Sequence, residues 1–153
     1  MDKRFRDRVE ALHRKYQELF RQEPVTAERV IPKETPVGGV YLFSEGGEPL
    51  YVGRTKRQIG TRIKNHFSTA PDCPFAWLLA REATGKRATY KPAGSRKDLL
   101  ASPKFRAQYD RAKRRIRRMD VRYVHEPEPT SQALLEIYVA VATASRYNSF
   151  DTH

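Results

Sequence analysis

Tyr41 and Tyr51 lie ten positions apart in two segments that read as paired strands, where adjacent strand positions can bring two phenols close. Arg62 and His66 follow at four-residue spacing, which places both on one face of a helix. Glu136 is the single acid in the otherwise apolar run ALLEIYVAVA. A carboxylate there is costly to bury unless it meets a partner, a metal or an edge open to a cleft. Gln132 and Ala140 occupy the positions four residues away, so no intrahelical ion pair at that spacing accounts for its charge. Together these residue types suit phosphodiester hydrolysis: an arginine meets the negative phosphorane oxygens, and a carboxylate holds a hard cation such as Mg²⁺. Plainer roles stand beside these. Strand tyrosines serve as core-edge residues, Arg62 as a solvated helix residue, His66 as a helix cap, and Glu136 as half of a tertiary ion pair with Arg62.

The elements that must position these groups follow from periodicity. Phe5, Val9, Leu12, Tyr16, Leu19 and Phe20 recur every three or four residues, so residues 2–22 form an amphipathic helix whose apolar stripe packs on the main domain. Pro24 ends it, and the stretch to Pro36 reads as an arm or linker. Residues 39–43 (GVYLF) and 50–52 make two strands joined by a turn containing Gly46 and Gly47, which permit the positive φ of a tight hairpin. A basic segment holding Arg54, Lys56 and Arg57 leads into a helix over about 58–67, with Ile59, Ile63 and Phe67 as its buried edge. Asp120 to His125 alternates as a strand; Thr130 or Ser131 then caps a core helix over 132–143, followed by a tail from Arg146. The fold class is α/β in the α+β sense, a small three-stranded antiparallel sheet flanked by helices.

Between these pieces lies a basic insert, residues 69–118, with fourteen Lys or Arg against four Asp or Glu. Of the chain's net charge of +12, the insert alone carries +10. Trp77 to Leu79 suggests a short helix, and Lys86 to Lys91 a basic strand or loop. Lys104 to Arg118 is a stronger helix, with Phe105, Tyr109, Ala112 and Ile116 along one side. A charge this high repels itself unless a polyanion neutralises it, which makes nucleic acid the first partner to consider. Charge alone equally suits a basic soluble enzyme or a ribosome-associated protein.

Several classes are excluded or weakened. Cys73 is the one cysteine, so there is no intrachain disulfide and no CxxC metal pair. Neither GxxxxGK[ST] nor GxGxxG occurs. The longest apolar run, Ile137 to Ala142, is far short of a membrane span, and the charged start Met1 to Arg8 leads into no apolar stretch. A cytoplasmic location is the expectation.

The pieces Gly39-Val40-Tyr41 and Tyr51-Val52-Gly53 resemble the two halves of the GIY-YIG endonuclease signature, and the continuation Arg54 to Phe67 resembles the segment after its second half. The likeness covers residues 37–67 and 121–149, about two-fifths of the chain. Each half is weak alone; their order, together with the later glutamate, carries the signal. The resemblance implies a three-stranded antiparallel core, the family's conserved arginine at Arg62, its frequent histidine at His66, the metal-binding glutamate at Glu136 and the late asparagine at Asn148. Valine stands for isoleucine in both halves and leaves the tyrosines intact. The insert exceeds the minimal domain.

The expectation is a divalent-metal-dependent endonuclease that hydrolyses DNA with Mg²⁺, Mn²⁺ being a substitute, and leaves 5′-phosphate and 3′-hydroxyl ends. Tyr41 would position or deprotonate the attacking water, provided cations beside it stabilise the phenolate. Tyr51 would orient water or phosphate, and Asn148 would brace the site. Double-stranded DNA is the expected partner, met by Arg54, Lys56, Arg57, Lys113, Arg114, Arg117 and Arg118. In this division residues 1–36 form an N-terminal helix and arm, and residues 37–153 the nuclease domain. The alternative is a noncatalytic DNA- or RNA-binding module that keeps the fold.

Overall fold

The computed structural model describes residues 1–69 and 73–150. Its α-helices are α1 (Lys3–Arg21), α2 (Ile59–Asn65), α3 (Pro74–Thr84), α4 (Arg96–Ala101), α5 (Pro103–Arg117) and α6 (Pro129–Thr143). The strands are β1 (Val25–Thr26), β2 (Val37–Glu45), β3 (Glu48–Gln58) and β4 (Asp120–His125). By spatial contact the chain divides into two compact units: Met1–Lys64 joined by the segment that begins at Met119, and Asn65–Arg118.

The first unit is built on one antiparallel sheet in the order β1-β4-β2-β3, so the described residues form four strands rather than the expected three. The extra strand, β1, is a two-residue pairing of Val25 with Val121 and Thr26 with Asp120. A pairing that short leaves no alternation to read, and Pro24 beside it argues for a break. Gln22 continues the cover of this edge: its side chain accepts from the Tyr123 amide at 2.6 Å, and its carbonyl accepts from Arg122 at 3.0 Å.

β2 is buried from Gly38 to Ser44, as befits a central strand covered on both faces. Val40, Leu42, Val52 and Val124 pack with Leu12 and Leu19 of α1 and with Leu135, Val139 and Ala140 of α6 in one apolar cluster. The α1 stripe therefore docks through its C-terminal half, while Phe5 and Val9 nearer the N-terminus remain exposed. Asp2, whose side chain accepts from the Phe5 amide, caps the helix start. β3 runs on to Gln58, so the basic segment read as a connection is strand, paired with β2 at Arg54, Thr55 and Gln58 across an irregularity at Lys56 and Arg57. α6 begins at Pro129 and not near Gln132. Its cap is Glu128 rather than Thr130 or Ser131, the carboxylate accepting from the amides of both those residues at 3.0 and 2.7 Å. Those hydrogen bonds lower the Glu128 pKa to about 2.

In the second unit α3 and α5 share an aromatic centre, with Trp77 against Phe105 and Tyr109 at ring separations of 5.0 and 5.4 Å. Phe105, Tyr109, Ala112 and Ile116 form the buried side of α5. α4 has no counterpart in the sequence reading; Ser95 caps it by accepting from the Asp98 amide. No helix among the described residues is long and apolar enough to cross a membrane.

Candidate active site

Tyr41 sits at the middle of β2, opposite Gly53 on β3 and Tyr123 on β4. Phe43, two residues on, faces Tyr51. Side-chain alternation puts Tyr41, Tyr51 and Gly53 on one face of the sheet and Val40, Val52 and Arg54 on the other. The Tyr41 ring is fully buried, and a Cβ added at Gly53 would collide with its hydroxyl and ring carbons. Gly39, by the same test, lies against the Val124 carbonyl and the Ile59 side chain. The two motif glycines thus have packing reasons, one making room for the phenol and the other for β4.

Burial pushes the Tyr41 phenol far above its ordinary value of 10.0, and Tyr51 pushes it the same way. Arg62 opposes this by its charge and by a hydrogen bond to the phenol oxygen, but is outweighed. The expected help from neighbouring cations is therefore present and insufficient: at neutral pH Tyr41 is a protonated phenol, a hydrogen-bond donor and not a base. Glu136 also raises it, as the weakest of these influences.

Arg62 owes its position to the segment read as a linker. Two short 3-10 turns, Ala27–Arg29 and Pro32–Glu34, bring Thr35 and Pro36 to the start of α2. The Thr35 hydroxyl accepts from the Gly60 amide at 2.8 Å and donates to the Pro32 carbonyl at 2.7 Å, and the Pro36 carbonyl accepts from the Ile59 amide. A side chain at Gly60 would strike Pro32 and Thr35. Neither residue carries a local sign of this role, because the cap of α2 comes from 25 residues upstream.

Glu136 has a partner that the sequence does not reveal. Its carboxylate accepts from Nε of Arg54 at 3.0 Å, across 82 residues of chain. The tertiary ion pair is with Arg54 rather than Arg62, and the Arg54 side chain stays 41% exposed. Burial raises the Glu136 pKa above its ordinary 4.5, and Arg54 pulls in the opposite direction without cancelling the shift. With side chains 41% and 23% exposed, the pair is partly screened and contributes at most about 1 kcal/mol.

Asn148 is bound to the backbone of β3. Its Oδ1 accepts from the Val52 amide at 2.7 Å and from the Ser145 hydroxyl at 2.7 Å, and its Nδ2 donates to the Val52 carbonyl at 2.9 Å. The Tyr147 amide adds a bond to the Leu50 carbonyl at 2.9 Å. The segment read as a tail thus closes the outer edge of β3 beside Tyr51 and Gly53, a position that braces the strand.

Lys56 and Arg57 are exposed at the end of β3. His66, Lys113, Arg114, Arg117 and Arg118 belong to the second unit. His66 lies one residue beyond α2, which ends at Asn65, and is fully buried. Arg114, Arg117 and Arg118 are exposed. Lys113 is occupied within its unit: its ammonium lies 4.6 Å from the Tyr109 ring centroid and donates to the Ser68 carbonyl at 3.0 Å.

Among the described residues no three His, Cys, Asp or Glu side chains gather as a metal cage. Mg²⁺ does not need one; it is commonly held by one or two carboxylates, with waters and substrate phosphate completing the octahedron. Glu136, with 23% of its side chain exposed and an ion pair to Arg54, offers one carboxylate of that kind. No protein family, curated protein or solved structure matches the chain.

Proposed function

We propose that the chain is a divalent-metal-dependent endonuclease that hydrolyses DNA phosphodiester bonds, as the resemblance to GIY-YIG endonucleases implies. The observation that carries the reading is that Tyr41 of β2, its phenol oxygen bonded to Arg62 of α2, shares one sheet face with Tyr51 of β3. Tyr41 and Glu136 derive from opposite sheet faces.

In this reading the Tyr41 hydroxyl donates a hydrogen bond to a phosphate oxygen, Arg62 holds the phenol oxygen while presenting further N–H groups to the phosphate, and the proton of the attacking water passes to solvent. Tyr51, half-buried on the same face, orients the water. Arg54 keeps the Glu136 carboxylate ionised in its partly buried place. A divalent cation, when bound at Glu136, would supply positive charge for the leaving 3′-oxygen.

The second reading, a noncatalytic DNA- or RNA-binding module, is favoured by one observation: Glu136 has an ion-pair partner in Arg54. Supercoiled plasmid incubated with the protein and Mg²⁺, with Mn²⁺ in parallel, separates the two. Nicked or linear product that chelator abolishes supports the nuclease; folded protein that binds DNA and leaves every form intact supports the binding module.

A further inference from the structure

α3 ends at Gly85, which takes the left-handed conformation at φ +70° and returns its amide to the Arg81 carbonyl at 2.8 Å. The chain beyond Gly85 is tied into a turn by its own hydrogen bonds. The Thr89 amide donates to the Gly94 carbonyl at 2.8 Å, and the Thr89 hydroxyl reaches the Ala93 and Lys91 carbonyls at 2.8 and 3.3 Å. Gly94, at φ +80°, turns its amide to the Asp98 carboxylate at 2.8 Å. Pro92 restricts the residue before it to extended backbone.

Tyr90 stands in this closed turn with 104% of its reference accessibility, so its ring touches essentially nothing in the protein. It is flanked by Lys86, Arg87 and Lys91, all exposed and none in an ion pair among the described residues. The single acid between Glu82 and Asp110, Asp98, is spent on Gly94. An isolated exposed aromatic needs no explanation on its own. An aromatic presented by a hydrogen-bonded turn, with unpaired cations beside it in the sequence, has the composition of a stacking platform for an unpaired base: π-face for the base, charge for the flanking phosphates.

We propose that the turn formed by residues 85–94 is a second DNA-contact site, in which Tyr90 stacks on an unpaired base while Lys86, Arg87 and Lys91 hold the adjoining backbone. The preferred substrate is then duplex DNA that carries a single-stranded gap, a bulge or a frayed end. This rests on the DNA-binding part of the proposed function and is independent of whether the chain cleaves.

The test uses the full chain in chelator, a duplex with a short gap containing 2-aminopurine, and an intact duplex of equal length. The wild type is expected to prefer the gapped duplex and quench the 2-aminopurine. Tyr90→Ala should weaken gapped-duplex binding about tenfold, remove the quenching and leave intact-duplex binding unchanged. Tyr90→Phe, which keeps the π-face, should behave as wild type. Wild-type binding by Tyr90→Ala overturns the proposal, as does an equal loss on both duplexes or a Tyr90→Phe variant as weak as the alanine. If neither duplex binds the wild type, the DNA reading fails with it; if both bind and Tyr90→Ala is silent, only the stacking site fails.

Discussion

Tyr41 and Gly53 stand directly opposite each other across β2 and β3, and the phenol occupies the volume that a side chain at position 53 would need. The motif glycine is therefore a receptor for the motif tyrosine. Tyr41 is fully buried and bonded to Arg62, so the ring has no open direction in which to retreat. Gly53→Ala is expected to cost about 1–3 kcal/mol through overpacking. It should also displace the Tyr41 hydroxyl, so that cleavage falls further than DNA binding. Thermal unfolding alongside plasmid nicking checks both; an unchanged melting temperature would contradict the packing.

Asn148 gives a prediction of a different kind, because it touches backbone alone in β3. Asn148→Ala strips Val52 of a partner for both its amide and its carbonyl, a loss of about 1–3 kcal/mol for groups left unsatisfied. Asn148→Asp keeps the acceptor for the amide but sets a carboxylate against the Val52 carbonyl, and should be no better than alanine. Asn148→Ser is too short to span both. An alanine variant as stable as wild type in denaturant titration would overturn this bracing role.

The salt dependence of binding reports on α5. Each phosphate neutralised adds about 0.9 to the slope of log K against log salt on duplex DNA. Replacing Arg114, Arg117 and Arg118 by glutamine should flatten that slope. Lys113→Gln should leave it nearly unchanged, since its ammonium is committed to Tyr109 and Ser68. A slope indifferent to the three arginines removes this helix face from the DNA surface.

Sequence pattern made the strands at Tyr41 and Tyr51, the β4 run and the apolar side of α5 legible, because alternation and helical spacing are local. The features it missed were set by distant partners. Thr35 caps α2, Gln22 and β1 cover β4, and Arg54 meets Glu136, each across tens of residues and with no spacing rule to mark it. Composition also misjudged the segment from Arg54 to Gln58, where charge suggested a connection while the backbone continued the ladder with β2. The Tyr41 environment was half legible: the arginine beside it could be anticipated, the degree of burial could not.

The Arg54–Glu136 pair bears the decisive prediction. Burial raises the Glu136 pKa above 4.5 and Arg54 restrains the rise. An acid whose folded pKa is raised favours the folded state below its unfolded pKa, and that contribution is lost as pH climbs through the folded value. Glu136→Gln should therefore stay folded at neutral pH, with no loss of melting temperature attributable to the missing charge. If the carboxylate holds the cation, the variant cleaves at least about 100-fold more slowly, near 2.7 kcal/mol of transition-state stabilisation, while still binding DNA. Activity that needs the ionised carboxylate must also fall as pH drops through the raised folded value. Arg54→Ala, by removing the restraint, should shift that acid limb to higher pH, and Arg54→Lys should restore part of it. The measurement is initial cleavage rate against pH at saturating Mg²⁺ for the wild type and the three variants. An acid limb that stays in place when Arg54 is gone, together with near-normal cleavage by Glu136→Gln, would take the carboxylate out of the reaction and leave the pair a structural clasp between β3 and α6.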